Sequence, residues 1–372
     1  MISVESLLSP AGTSVGVQID PALRRGRGAV SNASGRFERF SREAMFEDAT
    51  DIGDLKPFRT EVTMEKARTI ITRNESPDIS FDRSINPYRG CEHGCSYCFA
   101  RPTHTYLGLS AGIDFESRLF VKAEAARLLE QELSAPRYQA KTVALGANTD
   151  PYQPIEREHR VTRSILEVLA RTSHPVGIVT KSALVTRDID ILAPMAEKNL
   201  VKVALSVTTL DRTLARAMEP RAATPDKRLE AIRQLSEAGI PTSVLVAPVI
   251  PAINDQEIEA VLTAARQAGA REAGYVLLRL PLEVRDIFAQ WLATHAPDKA
   301  RHVLSLIRST RGGKDYDPRF TTRQTGEGPY AWLIGRRFEL AAERLGFAKR
   351  RLKLDATRFV PPVTAGGQLS LF

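Results

Sequence analysis

Cysteine is scarce in this chain of 372 residues: there are three in all, and they fall within eight consecutive positions, Cys91, Cys95 and Cys98. An odd, clustered set of thiols builds no disulfide framework, so the fold must rest on a hydrophobic core, which a chain of this length can bury. Long apolar runs are also lacking. None reaches the roughly 18 residues of a membrane span, and Met1-Ile-Ser-Val-Glu5 lacks a basic stretch followed by an apolar one, so neither a span nor a secretory leader is expected. A cytoplasmic location is the resulting expectation, and there reduced thiolates are natural metal ligands. Acidic residues are the minority, 44 against 52 basic ones, for a net charge of +8. Between Arg301 and Arg358 fourteen Lys or Arg face six acids, an excess equal to the whole net charge. Such a region suits a phosphate-rich partner such as nucleic acid, or else is a solvated helix face.

Residues 1–58 carry Gly, Ser, Arg and Asp with little apolar periodicity, and Arg24-Arg-Gly-Arg-Gly28 reads as a mobile basic arm within a largely disordered segment. Residues 59–280 then alternate short β-rich runs with helical patterns. The expected strands are 81–86, 142–145, 176–180, 201–207, 242–246 and 274–280, with an outlying one near 68–72. The expected helices are 123–133, 161–170, 188–198, 226–238 and 255–268, with Asp188, Asp211 and Asp255 as N-caps and Gly239 and Gly269 as stops. Six βα units build either a partial barrel or an open doubly wound sheet. Residues 281–350 read as a basic helical region, ending in an amphipathic helix with Leu333, Phe338, Leu340, Ala341 and Leu345 near one face. Residues 351–372 read as a linker, Pro- and Gly-rich from Pro361 to Gly367, bearing a short apolar end.

The cysteine stretch, Ser84-Ile-Asn-Pro-Tyr-Arg-Gly-Cys91-Glu-His-Gly-Cys95-Ser-Tyr-Cys98-Phe-Ala-Arg101, carries the chemistry. Three thiolates so close can hold three corners of a small metal centre, with Gly90 and Gly94 permitting the tight turn. On a [4Fe-4S] cluster three cysteines leave one iron open to a substrate. Structural zinc with His93 or His104 as fourth ligand is the alternative, and three buried unliganded cysteines a further one.

The Cys-x3-Cys-x2-Cys loop, the aromatic Tyr97 before the last cysteine and the place of the loop after the first strand of a βα series resemble the radical S-adenosylmethionine superfamily. Asn86-Pro-Tyr-Arg-Gly-Cys91, Cys98-Phe-Ala-Arg-Pro-Thr-His104, Leu145-Gly-Ala-Asn-Thr-Asp-Pro-Tyr-Gln-Pro-Ile-Glu156 and Arg311-Gly-Gly-Lys-Asp-Tyr-Asp317 resemble its branch related to spore photoproduct lyase, often labelled DNA repair photolyases. The similarity extends from about Glu61 to Gly346. It implies a partial (β/α)6 TIM-type barrel, an α/β fold with a helical C-terminal extension and flexible termini. It also implies an enzyme of unresolved lyase or transferase class, in which a [4Fe-4S] cluster on Cys91, Cys95 and Cys98 cleaves S-adenosyl-L-methionine to a 5′-deoxyadenosyl radical. By the same resemblance Tyr97 lies near the adenine, Gly146 to Asp150 stands where the methionine amino group is held, and Ser206 and Thr208 are placed to bond the ribose. The usual Gly-Gly-Glu is missing there, so Asn148 and Asp150 are the candidates. Ser206 and Thr208 are alternatively polar strand-end residues. Lys181 and Arg279 end strands on the same face and are candidates for carboxylate or substrate contacts.

Two departures matter. Spore photoproduct lyase returns a hydrogen through a further cysteine, assisted by a tyrosine after the last cluster cysteine. This chain has no fourth cysteine and has Phe99 at that place, which argues against thymine-dimer reversal by that relay. Tyr88, Tyr106, Tyr152 and Tyr275 are the tyrosines considered as donors instead. Gln368-Leu-Ser-Leu-Phe372 resembles the peptide by which bacterial repair proteins bind the replication sliding clamp, with Gln368, Leu369, Leu371 and Phe372 as its contacts. Clamp and basic region together point to DNA, with an electron donor of unknown identity. The alternatives are radical modification of a small molecule or protein, and a non-enzymatic metal-binding interaction module.

Overall fold

In a computed structural model that describes residues 19–21, 23–38 and 58–362, ten strands form two sheets. They are β1 (Glu61–Met64), β2 (Ile71–Arg73), β3 (Arg83–Ile85), β4 (Tyr88–Arg89), β5 (Arg118–Val121), β6 (Val143–Leu145), β7 (Val176–Thr180), β8 (Val201–Ser206), β9 (Thr242–Val249) and β10 (Glu272–Leu277). The large sheet runs β10-β9-β8-β7-β6-β3-β2, every pair parallel except the antiparallel edge strand β2 on β3. Six parallel strands stand in chain order with no reversal, so the sheet has no switch point of the doubly wound kind. Right-handed crossovers then put every connecting helix on one face, which is the wall of a partial barrel. The sheet does not close: β10 and β2 are its two edges.

Alternation along the central strands shows which face does what. Val176, Ile178, Val201, Val203, Leu205, Val244 and Val246 are buried in one cluster with the helix residues Ile165, Leu169, Leu192, Ile232, Leu235, Val261 and Leu262. Each such side chain contributes roughly 1.5–3 kcal/mol of burial. The residues between them on β7, β8 and β9 are only half-buried and line the open inner face. Asp211 caps helix Arg212–Met218, accepting from the N–H groups of Thr213 at 2.7 Å and Leu214 at 3.2 Å. Asp188 and Asp255 cap nothing with their side chains. Asp188 is instead bonded to Arg163 and Arg187, and Asp255 accepts from the Tyr330 hydroxyl at 2.7 Å. Gly239 and Gly269, both at positive φ, end helices Pro225–Glu237 and Ile258–Gln267 as their residue type requires.

Three departures from the sequence-based picture concern the flanks. Arg24-Arg-Gly-Arg-Gly28 is no mobile arm: residues 27–31 are buried, with Arg27 donating to the Glu116 carbonyl at 2.6 Å and Ser31 to Gln290 at 2.6 Å. Residues 351–360 do not hang as a linker but cross the bottom of the barrel. Asp355 N donates to Asn199 O and Val360 N to Thr172 O, both at 2.9 Å, and Phe359 packs on Tyr138 and His174. The helix Gly328–Arg344 buries Ala331, Ile334, Phe338 and Ala341, leaving Leu333 and Leu340 exposed, so its core-facing stripe is rotated from the one expected. Gln368 to Phe372 lies outside the described residues.

Candidate active site

The cysteine loop follows β4 at the carboxyl ends of the parallel strands and is held from every side. Gly90 and Gly94 take φ of 74° and 69°; a Cβ at Gly90 would stand 2.6 Å from a Leu119 methyl, and one at Gly94 2.7 Å from Glu116 Oε2. Cys91 N donates to Phe115 O at 2.9 Å and Ser96 N to Met218 O at 3.0 Å. Gln153 clasps both neighbours of Cys91, its Oε1 accepting from Glu92 N at 2.9 Å and its Nε2 donating to Gly90 O at 3.1 Å. Arg101, fully buried, donates to Cys95 O at 2.9 Å and to the carbonyls of Ala111 and Gly112, and pairs with Glu116. Glu116 in turn accepts from the N–H groups of Gly28 and Ala29 at 2.8 Å, which fastens the N-terminal segment over the loop.

Beneath the loop, at the ends of β7 and β8, a second group converges. The buried Glu219 carboxylate accepts from Tyr97 OH, from Thr208 Oγ1 at 2.6 Å and from Arg228, and lies 3.5 Å from Lys181 Nζ. Lys181 also donates to Ser206 Oγ at 2.6 Å and to Ala247 O at 3.1 Å. Burial lowers its ammonium pKa to about 8, against the pull of nearby thiolates and Asp150. Asp150 accepts from Thr180 Oγ1 at 2.7 Å, Tyr152 N at 2.8 Å and Lys181 N at 2.7 Å, with His93 Nδ1 3.4 Å away. Burial pushes its carboxyl up, but His93 and these donors outweigh it and hold it below the ordinary range.

The structure thus brings Tyr97, Asp150, Ser206, Thr208 and Lys181 to one place. It uses Asp150 to tie β6 and β7 to the loop, with both carboxylate oxygens already accepting. Gly146, at φ 84°, is there for close approach: a Cβ would sit 2.2 Å from Val179 O. Asn148 donates its backbone N–H to Asn86 Oδ1 at 3.0 Å, and its side chain is half-buried. Arg279 follows β10 with its guanidinium 5.1 Å from the Phe99 ring centroid, and its Nη2 is 3.4 Å from the hydroxyl of Tyr316. Of the four tyrosines considered as donors, Tyr88 is bonded to buried Glu156, Tyr152 is enclosed beside Arg187, Tyr106 stacks on Phe37 outside and Tyr275 packs on Phe338. Tyr316, from the Gly-rich loop after Arg311, reaches this face beside Arg279. Sequence reasoning did not reach Gln153, Glu219, Arg228 and Tyr316, although Gln153 lies within residues 145–156 and Tyr316 within residues 311–317, two stretches that carry the family resemblance.

Residues 85–265 match the family model described as the radical SAM superfamily. An uncharacterised protein of Mycobacterium tuberculosis strain H37Rv is 38% identical over 232 residues, 62% of this chain and 68% of the relative. One from Methanocaldococcus jannaschii is 27% identical over 199 residues, 54% of this chain and 71% of that one. A solved spore photoproduct lyase variant with bound AdoMet and dinucleoside spore photoproduct superposes with a TM-score of 0.52 at 16% identity, covering 77% of this chain and 80% of the other, a likeness of fold. The chain belongs to the radical SAM superfamily, and its cofactors are a [4Fe-4S] cluster and S-adenosylmethionine.

The donor set fits that cluster. All three thiols are unpaired and lie in one loop. Burial first, then neighbouring charges that include Asp150 and the other two cysteines, pushes the Cys91 thiol well up, so ligation must offset the cost of forming thiolates. Neither histidine is disposed as a zinc ligand: His104 is bonded to Arg118 O at 3.0 Å between Phe115 and Phe120, and His93 faces Asp150. Among the described residues no three His, Cys, Asp or Glu side chains converge on one ion. Three thiolates that each hold a separate iron need no such convergence. With both cofactors bound, the chemistry supplied is a 5′-deoxyadenosyl radical that abstracts hydrogen. The chain's own part is to fix the loop through Gln153 and Arg101 and to hold the Lys181 ammonium against the Ser206 and Thr208 hydroxyls at the strand ends.

Proposed function

We propose that this radical SAM enzyme acts on nucleic acid, removing hydrogen from an unstacked, damaged base in repair. The observation that carries the reading is the pair beside the last cysteine: Phe99, 44% exposed, with the Arg279 guanidinium over its ring. An exposed aromatic with an arginine plane is the kind of surface on which a base stacks, and a base must leave the helix before a radical can reach it. The dinucleoside ligand of the structurally similar lyase agrees with this class of substrate. Ser206 and Thr208 are taken as ribose contacts, Asn148 as a methionine contact, and the Tyr97 backbone as the adenine shelf. Phe99 and the absence of a fourth cysteine set the chemistry apart from dimer reversal through a cysteine relay.

The basic C-terminal region supports the reading less than its charge suggests. Arg308 pairs with Asp315 at 2.6 Å, Arg319 with Asp317 at 2.7 Å, Arg323 with Asp78 at 2.5 Å and Arg337 with Glu259 at 2.6 Å, while Arg311 is buried against backbone carbonyls. That internal neutralisation favours the second reading, a small-molecule or protein substrate. The terminal Gln368 to Phe372 is proposed as a sliding-clamp peptide.

The test is to incubate reduced, cluster-loaded protein with S-adenosylmethionine and lesion-bearing oligonucleotides, nucleosides or cell extract, following 5′-deoxyadenosine and deuterium carried into it from labelled substrate. Stimulation by damaged DNA with label transfer is expected; stimulation by the small-molecule fraction alone would overturn the nucleic-acid reading. Deleting Gln368 to Phe372 is expected to abolish clamp binding while leaving iron content intact, and unchanged clamp affinity would remove that element.

A further inference from the structure

On the outer side of the cysteine loop lies a cleft of about 890 Å³ walled by seven arginines, no lysine and two glutamates. Its exposed cations Arg25, Arg59, Arg157 and Arg216 come from four different parts of the chain, and none has an ion-pair partner among the described residues. Its floor is Glu92, bonded to Cys91 in the chain and paired with Arg221 at 3.0 Å; Arg221 N in turn donates to His93 O at 3.3 Å. The cleft therefore abuts the iron-binding loop directly. None of the residues lining it belongs to the strand-end group of Tyr97, Lys181, Ser206, Thr208 and Glu219.

This placement separates two tasks. Substrate has to meet the radical on the strand-end side, where the hydroxyls and the Phe99–Arg279 pair stand. An electron, in contrast, has to reach the cluster without filling that space. A concentrated positive field behind the loop, its four exposed arginines unpaired among the described residues, suits an acidic macromolecule, and arginine forks take carboxylates in paired hydrogen bonds. A nucleic-acid strand lying there would gain nothing from contact with the back of the loop, since the loop would stand between it and the strand ends.

We propose that this arginine cleft is the docking surface for an acidic one-electron carrier protein, which gives one electron to the cluster and is itself oxidised by one. No proton or leaving group is required in that step. The inference rests on the radical SAM assignment and is independent of the substrate.

A bacterial flavodoxin serves as the probe, in a binding titration at rising NaCl with wild-type protein and a variant carrying Arg25→Glu, Arg157→Glu and Arg216→Glu. The expected result is flavodoxin binding that weakens with salt and falls about tenfold or more in the variant, while Arg→Lys at the same three positions retains most of it. Flavodoxin-driven 5′-deoxyadenosine formation should fall in parallel, and dithionite-driven formation should stay within about twofold of wild type. Unchanged flavodoxin affinity in the reversed variant, or no salt-sensitive binding by wild type, overturns the proposal. So does loss of affinity for a short single-stranded oligonucleotide with flavodoxin binding intact, which would make the cleft a strand-binding track. The binding arm reads out whether or not any nucleic acid is a substrate, so its failure is distinct from failure of the substrate reading.

Discussion

Removal of the Glu219 carboxylate is the most informative single perturbation of the site. In Glu219→Ala the Arg228 guanidinium, 1% exposed, keeps only the Ala223 and Ser206 carbonyls as partners, and the hydroxyls of Tyr97 and Thr208 lose a shared acceptor. Breaking a buried ion pair from one side costs roughly 3–5 kcal/mol because a charge stays buried without compensation. With an unfolding entropy of about 2.1 cal/mol/K per residue, a chain of 372 residues changes by about 0.8 kcal/mol per kelvin at its midpoint, so Tm should fall by about 4–6 °C. Scanning calorimetry of cluster-free protein measures this. Glu219→Gln, which keeps the shape and one acceptor, should fall in between. A second readout is specific to position: Tyr97 sits between Cys95 and Cys98, so losing its anchor should lower iron retained per chain after gel filtration. An alanine variant that melts within about 1 °C of wild type and retains full iron would refute the view of Glu219 as the hub beneath the loop.

Gln153→Ala should strip the clasp on both sides of Cys91, leaving two buried backbone groups unsatisfied. The expected loss is about 1–3 kcal/mol per group in denaturant melts, with reduced iron incorporation, and Gln153→Glu should rescue only the Glu92 side. His174 should make stability depend on pH. Burial lowers its pKa from 6.5 to about 4, with Tyr138 OH donating to Nε2 and Nδ1 bonded to Pro175 O, an arrangement for the neutral ring. Below pH 6.5 the unfolded chain binds a proton that the folded one refuses, so stability is lost as pH falls from 6.5 toward 4, by up to about 3 kcal/mol. Melts at pH 7, 6 and 5 should show a shallower decline in His174→Gln, and an identical decline would exclude His174 as the cause.

How far the sequence disclosed this molecule depended on whether a feature is periodic, local or assembled from afar. The six parallel strands and five intervening helices were legible because burial repeats along them: Val176, Ile178 and Thr180 on β7, or Val161, Ile165 and Leu169 on the following face of helix Val161–Arg171. Choosing between barrel and doubly wound sheet was beyond periodicity, because that choice lies in which strand pairs with which. The cysteine loop was legible because its ligands fall within eight consecutive positions. Glu219 was not, since its partners Tyr97, Lys181 and Thr208 arrive from three other segments and a lone Glu at a helix end carries no pattern. Arg24 to Gly28 misled for a related reason. Glycines and arginines look mobile in isolation, yet Gly28 is there because its backbone lies on Gly94 O, where a Cβ would stand 1.7 Å away, and Arg27 because Glu116 O awaits it.

That N-terminal segment also joins the two sides of the loop. The same few residues that lie against the loop at Gly94 carry Arg25 and Arg27 into the cleft wall, and through Glu116 they are bonded to Arg101, which holds the carbonyl of Cys95. Among its described residues this segment has no helix or strand of its own, and the small cluster that Ala29 and partly buried Ile19 make with Ala111, Ile113 and Ile287 is little apolar contact to keep it packed there. Its bonds are polar and numerous, and those of Arg27, Gly28 and Ala29 converge on Glu116. The physical consequence is coupling: a partner that orders Arg25 in the cleft also stiffens the backbone at Gly28 and Ala29, and so the carboxylate that fixes Arg101 to the iron-binding loop. Occupancy of the arginine cleft should therefore slow amide hydrogen exchange at Ser96 to Cys98 as well as at residues 23–31. Slowing in the N-terminal segment alone would mean that the Glu116 link transmits nothing.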